Sequence, residues 1–172
     1  MEMFSSRRLT KIGLTAALYV VTTLLCAPLA YEAVQFRVSE MLMLLCYFNK
    51  DFIFALSVGC FISNLFSSLG MIDMLFGTTA TVISAVLMYL FRERVSLPAA
   101  SLLPVIINAL MIGLEIKLII GDPFWINAGF VALGEFVCVS VLGVIIFKLL
   151  SKNKFFMKLI TSGENNAVRG RQ

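Results

Sequence analysis

The chain has 172 residues, of which 60% are hydrophobic and only 14% charged, and its mean hydropathy is +0.96. A soluble domain carries about 25% charged residues, so this composition indicates one compact membrane domain rather than a soluble protein. The formal net charge of +4 does not point to nucleic acid, because the basic residues cluster at the ends of apolar runs.

Six apolar runs follow one another along the chain, and a helix needs about 20 residues to cross the hydrocarbon core. The predicted helices are Ile12–Ala30, Val38–Phe48, Phe52–Leu69, Asp73–Phe91, Ala99–Ile119 and Ala128–Leu150. The first is longer than the roughly 7–15 residues of a signal-peptide core, so we expect it to be retained. The second is too short to cross alone, so we expect it to be tilted or continued by an extended segment packed against protein.

The lysine and arginine residues predict how these helices are oriented. Six crossings place both termini on one side. If that side is the cytoplasm, only Arg37 and Lys117 fall on or toward the outer side. The other twelve are then cytoplasmic: Arg7, Arg8, Lys11, Lys50, Arg92, Arg94, Lys148, Lys152, Lys154, Lys158, Arg169 and Arg171. This asymmetry predicts cytoplasmic termini, a six-helix membrane domain over residues 1–150, and a basic tail over residues 151–172 that ends in a disordered stretch.

Polar residues gather in the outer half of the predicted bundle or near its middle. Charges that persist at the border of a bilayer are costly, which makes them functional candidates. The candidate ligand-binding residues are Phe36, Arg37, Glu40, Asn64, Asp73, Asn108, Glu115, Trp125 and Glu135. The alternative is that these groups only pair with one another, as Arg37 with Glu40, and that the aromatic residues belong to the core or to an interfacial belt.

Acids outnumber bases on the predicted outer side, which favours a cationic ligand or one with many N–H donors. A carboxylate can accept two parallel N–H bonds from an amidine-like edge, as in guanine-type bases. The sequence contains no histidine, no GxxxxGK[ST] motif and no CxxC pair. It therefore predicts no cofactor, no metal site and no ATP site of its own.

Small residues in the first predicted helix indicate a second candidate surface. Gly13 and Ala17 form a small-xxx-small pair, and Ala16 lies beside it. Such a groove lets another helix approach closely. The partner helix belongs either to another protein or to this chain.

Several ordered motifs resemble those of the QueT family, the proposed queuosine-precursor transporters. The matching segments are Gln35–Glu40, Gly59–Leu65, Gly70–Thr78, Leu103–Ala109 and Gly134–Glu135. The resemblance covers roughly Thr10 to Leu150. The first helix departs from the Ala-x-x-x-Ala pattern that is frequent among related subunits, and its nearest equivalent is Gly13-x-x-x-Ala17.

The resemblance implies the substrate-binding (S) component of an energy-coupling factor (ECF) transporter, a six-helix bundle in the cell membrane of a bacterium. Such a component captures its ligand from outside, here a 7-deazaguanine base such as 7-aminomethyl-7-deazaguanine or queuine. It docks on a transmembrane coupling protein (EcfT) that works with two cytoplasmic ATPases (EcfA and EcfA'). The implied partners are thus this module, a small-molecule substrate and membrane lipid, with no nucleic acid.

Two other functions remain open on the residues alone. One is a stand-alone secondary transporter for a small amine, nucleobase or vitamin, in which a carboxylate such as Glu135 couples uptake to protons. The other is a membrane enzyme, for which the sequence offers no recognisable catalytic arrangement.

Overall fold

The computed structural model describes residues 6–27, 36–67 and 70–162. Seven helices and no strand are found in these ranges, which confirms the all-α fold. The helices are α1 (Ser6–Leu25), α2 (Val38–Phe48), α3 (Asp51–Asn64), α4 (Met71–Phe91), α5 (Leu97–Ile119), α6 (Phe124–Leu150) and α7 (Lys154–Ile160).

Four of these helices are long and apolar enough to cross a membrane, namely α1, α4, α5 and α6, with lengths of 20, 21, 23 and 27 residues. This supports a multi-pass membrane protein, while α2 and α3 are shorter apolar helices. The helix predicted over Phe52–Leu69 ends earlier, at Asn64, and the chain then turns. Gly70 adopts a left-handed φ of 57° immediately before α4, a conformation that favours glycine. Residues 28–30 and 68–69 of the predicted helices lie outside the described residues.

The second helix is as short as the sequence predicts, and most of it is wound as a 3₁₀-helix. Val38–Leu44 is 3₁₀ and Leu45–Phe48 is α-helical. A 3₁₀-helix rises about 2.0 Å per residue against about 1.5 Å for an α-helix, so its seven residues cover about 14 Å rather than about 10 Å. The extended segment predicted before this helix falls mainly on residues 28–35, which lie outside the described residues.

The core of the bundle surrounds α2. Met43 and Leu44 are fully buried there, together with Tyr19 of α1, Leu56 of α3 and Val139 of α6. Large apolar side chains on the outer faces of the helices are exposed, as expected of helices that face lipid.

Two glycines allow the helices to pack closely. A Cβ at Gly59 of α3 would lie 2.9 Å from the Cβ of Tyr19 in α1. A Cβ at Gly113 of α5 would lie 2.9 Å from the Cβ of Ala128 in α6. The pairs α1–α3 and α5–α6 therefore touch almost backbone to backbone.

Polar contacts tie together one end of the bundle, which we call the basic end and define by Arg8, Lys11, Asn49, Asp51 and Ser162. Asp51 forms ion pairs with Arg8 at 2.6 Å and with Lys11 at 2.9 Å. The side chains of Lys11 and Asn49 both donate to the backbone carbonyl of Ser162, each at 3.0 Å. The start of α1, the α2–α3 connection and the end of α7 therefore meet here, and the starts of α2 and α4 lie toward the opposite end.

Candidate functional site

Arg37, at the start of α2, lies between α3 and α4. Its Nη2 atom donates to Oδ1 of Asn64 at 3.1 Å and lies 3.6 Å from Oδ1 of Asp73. Asn64 in turn donates to the backbone carbonyl of Asp73 at 3.2 Å. All three residues are buried. The structure thus joins three residues from the ends of three helices, and it pairs Arg37 with Asp73 across helices.

Gly77 makes room for this contact. A Cβ built there would lie 2.3 Å from Nδ2 of Asn64, so any side chain would displace the amide. Gly77 is not among the residues predicted from the sequence. Its position one helical turn after Asp73, on the same face of α4, is the signal that would have identified it.

Glu40 lies one 3₁₀ turn after Arg37 and is 0% exposed. The hydroxyl of Tyr19 in α1 donates to its Oε1 atom. Its Oε2 atom is buried and has no hydrogen-bond partner within the described part of the chain. Thr23, four residues after Tyr19, donates to the hydroxyl of neighbouring Ser39 at 2.6 Å. Tyr19 and Thr23 were not predicted, although their spacing places both polar groups on one face of α1.

Glu135 belongs to α6, which packs against α2, and it is also buried, with 1% exposure. Its Oε1 atom accepts from Nδ2 of Asn108 in α5 at 3.1 Å, whereas no residue in the described ranges bonds its buried Oε2. Glu135 is followed at once by a π-helical segment, Phe136–Gly143, inside α6. Local π-helices of this kind are frequent at functional sites.

Glu115 lies near the end of α5, seven residues after Asn108 on the same face, and is 0% exposed. Neither carboxyl oxygen has a hydrogen-bond partner among the residues that the structure describes. Glu115 interacts electrostatically with Asp73 and Arg37, and Glu135 with Glu40 and Arg37. Arg37 thus links the two groups of acids.

Seven predicted residues therefore form one buried set, which we call the polar cluster. Its members are Arg37, Glu40, Asn64, Asp73, Asn108, Glu115 and Glu135. Acceptors exceed donors in this set, since four carboxyl groups share one guanidinium and two amides. Such a set suits a ligand rich in N–H donors or one that carries positive charge. Within the described ranges, no group of acidic or cysteine residues is arranged to hold a metal ion.

The two predicted aromatic residues lie in different places. Phe36 directly precedes Arg37 and is half-buried against the core around α2. Trp125 is 79% exposed and packs edge-to-face on Phe124, with ring centroids 4.8 Å apart. The structure does not bring Trp125 to the polar cluster. An exposed tryptophan at the end of an apolar helix is typical of the membrane interface.

The three small residues of α1 lie on two faces. Ala16 is buried, and its carbonyl oxygen would lie 3.1 Å from a Cβ at Gly59, so it packs within the chain. Gly13 and Ala17 are exposed, and a Cβ at Gly13 would meet no atom within 4 Å. The Gly13–Ala17 pair thus lies on the outer surface of α1.

Comparison with known proteins agrees with the motifs. The sequence profile described as QueT transporter matches residues 9–152. The "Queuosine precursor transporter QueT" of Lactococcus lactis subsp. cremoris (strain MG1363) is 35% identical over 151 residues, covering 80% of this chain and 89% of that protein. No solved structure matches the chain at comparable significance. This chain therefore belongs to the QueT transporter family, and it is a multi-pass membrane transporter rather than an enzyme.

Proposed function

We propose that this chain is the substrate-binding subunit of an ATP-driven importer of the energy-coupling factor type. Its substrates are queuosine precursors, 7-deazaguanine bases such as 7-aminomethyl-7-deazaguanine or queuine, which it captures from outside the cell. The observation that carries this proposal is the polar cluster, with buried carboxyl oxygens that form no hydrogen bond within the described residues. The printed name of the Lactococcus lactis relative supports the substrate class.

The chemistry of a 7-deazaguanine matches the polar cluster. Burying a carboxyl group without a hydrogen bond costs several kcal/mol, and a ligand that supplies the missing donors offsets that cost (roughly 2–7 kcal/mol for a neutral polar group). A guanine-type edge presents adjacent N–H donors to a carboxylate and a carbonyl oxygen to a donor such as Arg37 or Asn108. We therefore assign ligand binding to the polar cluster, with Phe36, which directly precedes Arg37, as the proposed stacking residue.

The proposed topology has six crossings with both termini in the cytoplasm. Its support is the separation of charge along the bundle. The basic end joins Arg8 and Lys11 to Asp51, whereas Arg37, Asp73 and Glu115 lie toward the opposite end. Because lysine and arginine are favoured in cytoplasmic loops, the proposed orientation puts the polar cluster in the outer half of the bundle.

The proposed partners are a transmembrane coupling protein and two cytoplasmic ATPases. Two features support them: the sequence has no P-loop motif, and Gly13 with Ala17 forms an exposed small-residue groove on α1. Small residues let two helices approach closely within a membrane. We place the contact with the coupling protein on this groove.

The alternative is a stand-alone secondary transporter coupled to protons. The buried carboxyl group of Glu135, with one oxygen unbonded by any described residue, is the observation that favours it. Such a group can exchange a proton as the protein changes conformation.

Uptake by reconstituted vesicles distinguishes the two mechanisms. We expect vesicles that hold this chain alone to show no uptake of radiolabelled 7-aminomethyl-7-deazaguanine, with or without a pH gradient. Adding the coupling protein and both ATPases with ATP inside should start uptake. Uptake by the chain alone under a pH gradient would instead support the secondary transporter. No uptake of any 7-deazaguanine by the complete complex would reject the substrate class.

A further inference from the structure

Of the four carboxyl groups in the polar cluster, that of Asp73 lies 3.6 Å from the Arg37 guanidinium, and the other three fall into two kinds. Glu40 and Glu135 each have one oxygen that accepts a hydrogen bond, from Tyr19 and Asn108 respectively, and a second buried oxygen that accepts none from the described residues. Glu115 has neither oxygen bonded within the same ranges. A ligand would therefore meet single acceptor atoms at two positions and a complete carboxylate at the third.

Glu40 and Glu135 lie on neighbouring helices that pack tightly. A Cβ at Gly143 in the π-helical part of α6 would lie 3.1 Å from side-chain atoms of Met41 and Leu44 in α2. Glu40 lies in the 3₁₀ part of α2, and Glu135 directly precedes the π-helical part of α6. Two buried carboxylates on helices packed this closely repel each other, and a cation that binds both offsets the repulsion.

An ammonium group suits this pair of acceptors. It is a compact positive charge with three N–H donors, and it can donate to two separate oxygens at once. The pair Glu40 and Glu135 offers two single oxygens from two helices. Glu115 offers two oxygens in one plane, which suits the adjacent N–H donors of a guanine-type edge better than a single amine.

We propose that Glu40 and Glu135 bind an ammonium group on the ligand, while Glu115 accepts the N–H groups of its guanine-like edge. This inference rests on the proposed function, because it assumes that the polar cluster binds a 7-deazaguanine. It makes Glu40 and Glu135 specificity-determining residues. They favour bases whose 7-substituent carries a protonated amine over bases whose 7-substituent is uncharged.

The test compares two ligands with the same ring, 7-aminomethyl-7-deazaguanine and 7-cyano-7-deazaguanine, binding to the purified full-length chain. The first carries an ammonium group at neutral pH and the second does not. We expect the amine to bind about 10- to 100-fold more tightly, the effect of a hydrogen bond to a charged group. Equal affinities of the unaltered chain for the two bases would overturn the inference.

Variants then assign the preference to residues. Glu40→Gln and Glu135→Gln should reduce the ratio of the two affinities to within about threefold of one, whereas Lys152→Gln should leave it unchanged. Glu115→Gln should weaken the binding of both bases by a similar factor, since both have the same guanine-like edge. A ratio that stays high in Glu40→Gln and Glu135→Gln, while both variants still bind, contradicts the assignment.

Two further outcomes are decisive. Glu135→Gln could weaken the binding of both bases equally, as Glu115→Gln should. In that case the Glu135 carboxyl group does not bind the amine, and the inference is wrong. If neither base binds the unaltered chain, the proposed function fails and the inference fails with it. Thermal unfolding of each variant identifies a loss of binding that results from misfolding. The comparison of the two ligands on the unaltered chain tests the preference for the amine without any variant.

Discussion

At the residue scale, the side chains that hold the cluster acids in place matter as much as the acids. Tyr19 donates to Glu40 from a neighbouring helix, and Asn64 donates to the backbone of Asp73 while it accepts from Arg37. These contacts orient the carboxyl group of Glu40 and the guanidinium of Arg37, and they hold the backbone at the start of α4. The oxygens left for a ligand are therefore determined by these supporting residues.

Replacing Tyr19 with phenylalanine should lower both stability and ligand affinity. It removes the donor to Glu40 and leaves a second buried oxygen unbonded, which costs about 1–3 kcal/mol. Tyr47→Phe is the matched control, because its hydroxyl donates to the backbone carbonyl of Val95 at 3.0 Å, near the basic end. Chemical denaturation and ligand titration measure both effects. If both variants reduce affinity equally, the hydroxyl of Tyr19 has no special role in the cluster.

A methyl group at Gly77 should disturb the cluster from α4. The added Cβ would lie 2.3 Å from Nδ2 of Asn64, so the amide must move away from Arg37 and Asp73. Overpacking of this kind costs about 1–3 kcal/mol, and we expect Gly77→Ala to weaken ligand binding as well. Gly129→Ala serves as control, since a Cβ there meets no atom within 4 Å. Unchanged affinity in Gly77→Ala would show that Asn64 does not position the ligand.

The sequence predicted which polar residues to examine but not how they pair. The charged residues stand out because they lie in or beside apolar runs, where a charge is energetically costly, as for Arg37, Asp73 and Glu135. Their partners come from other helices, so pairing Arg37 with Asp73 rather than Glu40 depends on how α2 and α4 pack. The sequence did not predict Tyr19 or Gly77, because a tyrosine or a glycine in an apolar helix is usually explained by helix packing or by the membrane interface.

At the element scale, the helices differ most from prediction where their winding changes. The 3₁₀ turns of α2 and the π-helical segment of α6 face each other across Gly143. Both place cluster residues, since Glu40 lies within the first and Glu135 directly precedes the second. Sequence periodicity does not distinguish 3.0 or 4.4 residues per turn from 3.6 over such short spans. Only the packing between the two helices reveals them.

The exposed face of α1 provides a test of docking. Gly13→Leu should leave ligand affinity unchanged, because a Cβ at this position meets no atom of the chain within 4 Å. The larger side chain should nevertheless abolish uptake by the complete importer, because it blocks the groove. Gly129→Leu is the matched control, an equally open glycine on α6. Titration and vesicle uptake are measured on both variants. Full uptake by Gly13→Leu would move the docking surface elsewhere.

At the scale of the whole molecule, charge is sorted along the bundle. Basic residues meet Asp51 and the carbonyl of Ser162 at one end, and the polar cluster lies away from that end. Composition predicted a membrane protein, and the lengths of the apolar runs predicted the all-helical fold. The number of crossings depends on α2 and α3, whose apolar runs are too short for length alone to decide.

Surface labelling tests the proposed orientation. A cysteine added at Lys152 or at Asp122, both exposed positions, should react with a membrane-impermeant maleimide, and the two should react from opposite sides. In intact cells, Asp122→Cys should be labelled and Lys152→Cys should react only after the membrane is opened. The unaltered chain is the blank, since Cys46, Cys60 and Cys138 are buried and Cys26 is half-buried. Labelling of both positions from one side would contradict a crossing by α6 that ends in the cytoplasm.

A binding titration of the purified chain without partner proteins shows whether the buried polar cluster is the ligand site. We expect submicromolar binding of 7-aminomethyl-7-deazaguanine to the unaltered chain and to Lys152→Ala. Glu40→Ala and Glu135→Ala should each cost about 2–5 kcal/mol of binding free energy, a loss of about 30-fold or more. Equal affinities for all four proteins would place the ligand outside the polar cluster.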